Sequence, residues 1–296
     1  MAISSAGIGS GLDVSSIVSQ LMALERRPLT TLDTKEAKLQ SQLTAYGSLK
    51  GALSSFQSAV AALANPAKFS AVTASLADTT AATVSASSAA TAGSYAVEVQ
   101  TLAQAHKLKS GTFATTATTV GSGTLTIQFG TYSGGVFTLN PDKAAGTITI
   151  DSSKSSLAGV RDAINAANVG VSASIVNDGT GNRLVVASKD SGVANALKIT
   201  VADDDLANTD NSGLSQLVHD ASTGGTTNLT QTVAAQNAAV VIDGISVSKP
   251  SNTITDAIEG VTLNLLKANT PGTTTLNVTR DSAGIQGAVQ SFVKTY

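Results

Sequence analysis

Apolar positions along this chain recur with two different periods. Up to about Phe69 the spacing is helical. Asp13 can cap a segment in which Ile17, Leu21 and Leu24 share one face, with Val14, Val18 and Met22 on its flanks. Pro28 is expected to interrupt that segment, because proline lacks an N–H and pushes Arg27 out of the helical region. Thr30 or Thr31 restarts the pattern. Leu32, Leu39, Tyr46, Leu53 and Val60 then recur every seven residues. Leu49, Phe56 and Leu63 fill the second seam position in the later heptads, whereas Lys35 and Gln42 leave it polar in the earlier ones. The spacing predicts a coiled-coil-like helix of roughly 50 Å, ended at Asn65–Pro66.

From Phe69 to Arg280 the period drops to two. Tyr95, Val97 and Val99 alternate with small or polar residues, as do Leu125, Ile127 and Phe129. Asp243–Gly244 between two apolar runs predicts a two-residue type I′ hairpin. Asp178 to Asn182 predicts a longer turn between two further strands. One helix interrupts the strands: Ser156 can cap a segment with Leu157, Val160, Ile164 and Ala167 on one face, closed by Asn168 or Gly170. Its order of strand, short helix and strand is expected again, compressed, between Gly244 and Leu266. After Arg280 the helical period returns. Ser282 can cap a helix with Ile285, Val289, Phe292 and Val293 on one face.

Composition narrows the class. Hydrophobic residues make up 42% of 296 and charged ones only 13%, so the chain is globular but poor in charge. With aromatics at 3%, its core must be built from Ala, Val, Leu and Ile, each of which buries little area, so such domains gain from contacts between subunits. The 18 basic and 20 acidic residues form no basic stripe, which argues against nucleic-acid binding. No apolar run is long enough for a membrane span, and the start lacks the pattern of a cleaved secretory signal. Cysteine is absent, which suits the cytosol or export of an unfolded chain through a narrow channel. Any export would then rely on an uncleaved signal.

Candidate chemistry is sparse. His106 and His219, the only histidines, sit in polar contexts and are expected to be solvated loop residues. Asp203, Asp204, Asp205 and Asp210 suggest calcium, but the best alignment, from Asn208 through Asp210 and Ser212 to Gly213, puts His219 where a bidentate Glu belongs. A solvated acidic loop is expected instead. Gly7, Gly9 and Gly11 lack the dinucleotide spacing and read as a flexible leader. No serine elbow or nucleophile–base pair is found. The expectation is a protein that is not an enzyme and carries no metal or cofactor.

The heptad seam is the feature in need of a partner. The helix after Ser282 is less than half as long, so about half of the seam is left without one. The leader through Gly11-Leu12-Asp13, the cluster of Leu21, Met22, Glu25 and Pro28, and the Tyr46 heptad resemble the N-terminal region of flagellar filament cap proteins, the hook-associated protein 2 family. Residues 155–188 resemble the flagellin IN motif. Residues 239–266 and the closing Ser291 to Tyr296 resemble the start of that family's C-terminal region.

The resemblance implies an α+β fold, with N-terminal coiled-coil-like helices followed by two β-rich domains, one inserted in the other, and short helices. It implies a terminal export and assembly segment over 1–29, a leg helix over 30–68, a plate domain from 69–110 with 225–280, an inserted domain over 111–224, and the start of a returning leg helix over 281–296. Family members continue past the equivalent of Tyr296, so an N-terminal fragment is expected. The implied function is structural: a secreted homo-oligomeric ring, commonly a pentamer, that caps the distal tip of the bacterial flagellum, retains exported flagellin and promotes its polymerisation. Implied partners are further copies of the chain, flagellin, hook-associated proteins, an export chaperone and host mucin. Assembly and filament contact fall to Leu12, Ile17, Leu21, Leu24, Leu32, Leu39, Tyr46, Leu53 and Val60. The alternatives are another axial flagellar protein, such as flagellin or a hook–filament junction protein, and a surface adhesin.

Overall fold

The computed structural model describes residues 13–296. Two compact units form: one runs to Ser70 and includes Asp281–Tyr296, the other is Ala71–Arg280.

The first unit opens with α1 (Val14–Leu63), 50 residues long and therefore about 75 Å. The Asp13 carboxylate caps it by accepting the Ser16 N–H at 3.0 Å. The hydroxyl of Ser15 and the Ser16 N–H hold that carboxyl below its ordinary value. The expected break at Pro28 does not occur: α1 runs through the proline without interruption. An interior proline costs about 3 kcal/mol by removing one ladder bond and crowding the turn before it. Long helical segments on both sides carry that cost. Past the proline, the hydroxyls of Thr30 and Thr31 donate to the carbonyls of Arg26 and Arg27 at 3.1 and 2.9 Å. Asn65–Pro66 ends α1 and at once starts α2 (Pro66–Phe69), capped by the Asn65 side chain.

The second unit comprises β1 (Val72–Leu76), β2 (Ala82–Ala86), β3 (Gly93–Thr101), β4 (Ala105–Lys109), β5 (Gly123–Ser133), β6 (Val136–Leu139), β7 (Gly146–Ile150), helix α3 (Leu157–Ala167), β8 (Val171–Asn177), β9 (Asn182–Ser191), β10 (Ala196–Asp203), β11 (Thr230–Val233), β12 (Ala238–Ile242), β13 (Ile245–Lys249), β14 (Thr253–Ile258), β15 (Val261–Leu265) and β16 (Thr274–Arg280). The chain then re-enters the first unit as α4 (Ser282–Thr295).

Two hydrophobic cores lie within the second unit. The outer module pairs a sheet of order β1-β16-β3-β12-β13 with one of order β14-β15-β2. Its core includes Val97, Val99, Val240, Leu263 and Leu276. The inserted module pairs a sheet of order β10-β5-β6, with β7 also on β5, with one of order β11-β4-β9-β8. Its core includes Leu108, Leu125, Ile127, Phe129, Leu184 and Leu197. The chain thus leaves the outer module after β3 and returns at β12. Strands β4 and β11, which the expected limits at 110 and 225 assign to the outer module, pair in the inserted sheet. Pairing sets them there: β4 is hydrogen-bonded to β9 on one side and to β11 on the other.

Local chemistry explains the elements. The Ser156 hydroxyl accepts the Gly159 N–H at 3.1 Å to start α3, and Asn168 at φ 48° closes it. Leu157, Val160, Ala163 and Ile164 are buried, whereas Ala167, expected on that face, is exposed in the last position of the helix. At the β12–β13 turn Asp243 and Gly244 both have positive φ, as a type I′ turn requires. The Asp243 carboxylate also accepts the Ala96 N–H at 2.7 Å. The compressed repeat fails at residues 253–258, which form strand β14 and no helix. Six residues make under two helical turns but a complete strand, and pairing with β15 buries Ile254.

Two independent cores should fail independently. Leu125→Ala should destabilise the inserted module by about 2–5 kcal/mol and Leu263→Ala the outer one by a similar amount. Hydrogen exchange read at Ile127 and at Val240 should respond to one substitution each.

Candidate assembly surface

Helix α4 packs on α1 near its C-terminal end. The Asp281 carboxylate caps α4 by accepting the Gly284 N–H at 2.8 Å, so the cap lies one residue before the expected Ser282. The Phe56 ring sits 5.6 Å from Phe292 and 6.3 Å from Tyr296, a cluster in which tilted rings match positive edges to negative faces. Ile285, Ala288, Phe292 and Thr295 are half-buried. Val289 and Val293, expected on the packing face, are exposed, because the contact stripe runs 285, 288, 292, 295.

The rest of the seam is open. Ile17, Leu21, Leu24, Leu32, Leu39, Tyr46, Leu53 and Val60 are all exposed, Tyr46 to 71%. Leu12 and the glycines at 7, 9 and 11 lie outside the described residues. Leu32, Leu39 and Leu43 line one shallow apolar groove, bordered by Lys35 and Glu36. Leu49, Leu53 and Phe56 line a second, closed on one side by Tyr296. Soluble monomers seldom expose a continuous apolar stripe of this length.

Both histidines are buried, against expectation: His106 is 1% exposed and His219 3%. The alternation Ala105-His106-Lys107-Leu108 carried the missed signal, since His106 and Leu108 share the inward face of β4. The acidic loop is only partly solvated. Asp203 is buried and accepts the Ser215 N–H at 2.8 Å. Asp210 accepts the Ser215 hydroxyl and the Ser212 N–H, and Asn208 accepts the Asp203 N–H. Each of these oxygens accepts from a donor of the loop or its flanks, while Asn208 and Asp210 themselves stay exposed. Among the described residues, no three His, Asp or Glu side chains converge as a metal site, and no helix is long and apolar enough to cross a membrane.

The family model for the flagellar hook-associated protein 2 N-terminus matches residues 10–106, and that for its C-terminus matches 235–296. The chain belongs to the flagellar hook-associated protein 2 family. The flagellin hook IN motif matches residues 131–190, spanning α3 and its flanking strands. Flagellar hook-associated protein 2 of Escherichia coli K12 is 40% identical over 258 residues, covering 86% of this chain and 51% of that protein. The B-type protein of Pseudomonas aeruginosa is 36% identical over 307 residues, covering 100% of this chain and 61% of its own length. The chain thus spans about half the length of the first of these relatives and three fifths of the second. Among solved structures, the D1-D2-D3 domains of the flagellar cap protein FliD from Escherichia coli match with a TM-score of 0.71 and 39% identity, over 86% of this chain and 67% of that one. FliD from Pseudomonas aeruginosa matches with a TM-score of 0.59 and 34% identity, over 73% and 92%. Family membership accounts for the order of helix, split outer module and inserted module.

Phe56→Ala removes the central ring of the α1–α4 contact, worth about 1 kcal/mol beyond its buried area. Amide exchange across 282–295 should speed up by about fivefold or more, with both β cores unchanged.

Proposed function

We propose that this protein is a structural component of the bacterial flagellum that caps the distal end of the filament, retains exported flagellin and promotes its addition at the tip. The uncovered seam of α1, in a chain of the hook-associated protein 2 family, carries this reading. A stripe from Ile17 to Val60 that α4 covers only near Phe56 requires other helices, and a tip assembly supplies them from neighbouring copies and from filament subunits. The solved relatives titled flagellar cap protein support it. The protein acts by assembly and not by catalysis.

In this reading Leu12, Ile17, Leu21, Leu24, Leu32, Leu39, Tyr46, Leu53 and Val60 form the contact stripe of a leg. The outer module, 71–104 with 235–280, forms the plate, and 105–234 projects from it. Copies close into a ring, a pentamer being the family's common form. The protein is exported and works at the filament tip.

Leu39→Asp with Leu53→Asp places two carboxylates in the stripe. In bacteria lacking their own cap, the unmodified protein should restore filaments and motility, with rings visible at filament tips by electron microscopy. The double variant should be secreted, keep the melting temperature of both β modules, lose self-association and leave flagellin in the medium. A double variant that still caps filaments, or one whose β modules unfold, contradicts the reading.

A further inference from the structure

The two histidines of the chain lie together in the inserted module, their rings 5.6 Å apart. His106 belongs to β4 in one sheet and receives the Leu197 N–H of β10, in the facing sheet, on Nδ1 at 2.9 Å. That nitrogen therefore carries no proton. Nε2 holds the ring proton and donates it to Gln231 Oε1 at 2.9 Å. The imidazole thus links one sheet to the other.

His219 braces the same strand. Its backbone exchanges hydrogen bonds with Ile199 of β10, at 2.8 and 2.9 Å. Its Nδ1–H donates to the Leu229 carbonyl at 3.1 Å. Nε2 is buried and has no partner among the described residues. A proton there would bury a charge with nothing to accept its hydrogen bond.

Burial outweighs the partial compensation of the surroundings, in which the Leu229 carbonyl and Asp220 favour a proton on His219 and Gln231 favours one on His106. From β5 the Tyr132 ring meets His219 edge-on at 6.4 Å, and burial pushes its phenol up to about 12, so it stays neutral. Asp220, next to His219, is held by Lys198 of β10 at 2.7 Å. In β9, Lys189 turns to Asn168 and Asp190 to Lys143, while the Ser188 hydroxyl is buried and unpartnered. Gln231 of β11 is neutral, and Lys107 of β4 is exposed on the opposite face. No carboxylate is hydrogen-bonded to either ring among the described residues.

We propose that the His106–His219 pair is an acid-sensitive staple: proton uptake by the two rings releases β10 from the β4 sheet and opens the inserted module while the outer module stays folded. Burial holds both rings below the ordinary imidazole value of 6.5. The unfolded chain therefore binds more protons than the folded one as pH falls below 6.5. Stability is fully present above that value and is lost as pH drops from it toward the folded-state values. The outer module contains no histidine and is the internal control.

The test is hydrogen exchange of the full chain between pH 7.5 and 5, corrected for intrinsic rates, together with ¹⁵N titration of both rings. Protection at Leu197, Ile127 and Leu184 should fall about tenfold per pH unit for each extra proton bound on opening, reaching about a hundredfold with two. Protection at Val240 and Leu276 should hold. Both rings should remain neutral at pH 6.5, with His106 protonated on Nε2. His106→Gln with His219→Phe should abolish the pH dependence, since glutamine can still accept the Leu197 N–H without titrating. Should that variant not fold, the exchange and ring titration of the unmodified chain decide alone. Rings that titrate at 6.5, protection lost equally in both modules, or a double variant as acid-sensitive as the parent would each overturn the proposal.

Discussion

The burial of one apolar seam governs this molecule. A helix draws most of its stability from the face it packs, and α1 has 50 residues against the 14 of α4. The Phe56, Phe292 and Tyr296 cluster anchors only one end. The remainder carries leucines at heptad spacing and a proline that removes a ladder bond. Such a helix gains its order from whatever helices cover it, so under the proposed function assembly and the stability of α1 would be the same event.

The β modules follow the opposite economy. Their cores are mainly aliphatic, joined in the inserted module by Phe113 and Phe129, and are packed between paired sheets. Asparagines extend the backbone pairing where strands end. Asn165 brackets Ala173, accepting its N–H and donating to its carbonyl, both at 2.8 Å. Asn252 does the same to Ala103, at 2.7 and 3.0 Å, on the first connection between the modules. Backbone bonds between Gln104 and Gln236 tie the two connections together. Close by, Gly192 at φ 99° lies so near Pro250 that a Cβ would come within 2.6 Å of the proline ring. The inserted module is thus fastened to the outer one by the Gln104–Gln236 backbone bonds together with side-chain bonds from Asn252 and Asn237.

Periodicity exposed most of this architecture. The seam, the Asp243–Gly244 hairpin, the Ser156 cap and the turn at Asp178 follow from spacing and from residues with one dominant backbone preference. Apart from Pro28, where the local helical flanks decide, these failures share a cause: each needed longer-range pairing. Pro28 breaks a helix in isolation but sits inside one with long flanks. Residues 253–258 suit either period until β15 pairs with them. His106 looks polar in sequence, yet the second sheet closes over it, and Asp203 turns inward because Ser215 offers a backbone donor twelve residues away. The α1 stripe was legible as a surface, whereas its occupants depend on other helices.

The account rests on α1 being uncovered in the free chain and covered in the assembly. The chain has no cysteine, so Leu39→Cys creates a single thiol at the centre of the stripe. Its rate of reaction with a maleimide should be measured in the isolated protein and in caps on filament tips. The account predicts rapid labelling in the free chain and strong protection at the tip. Equal rates in the two states would contradict it.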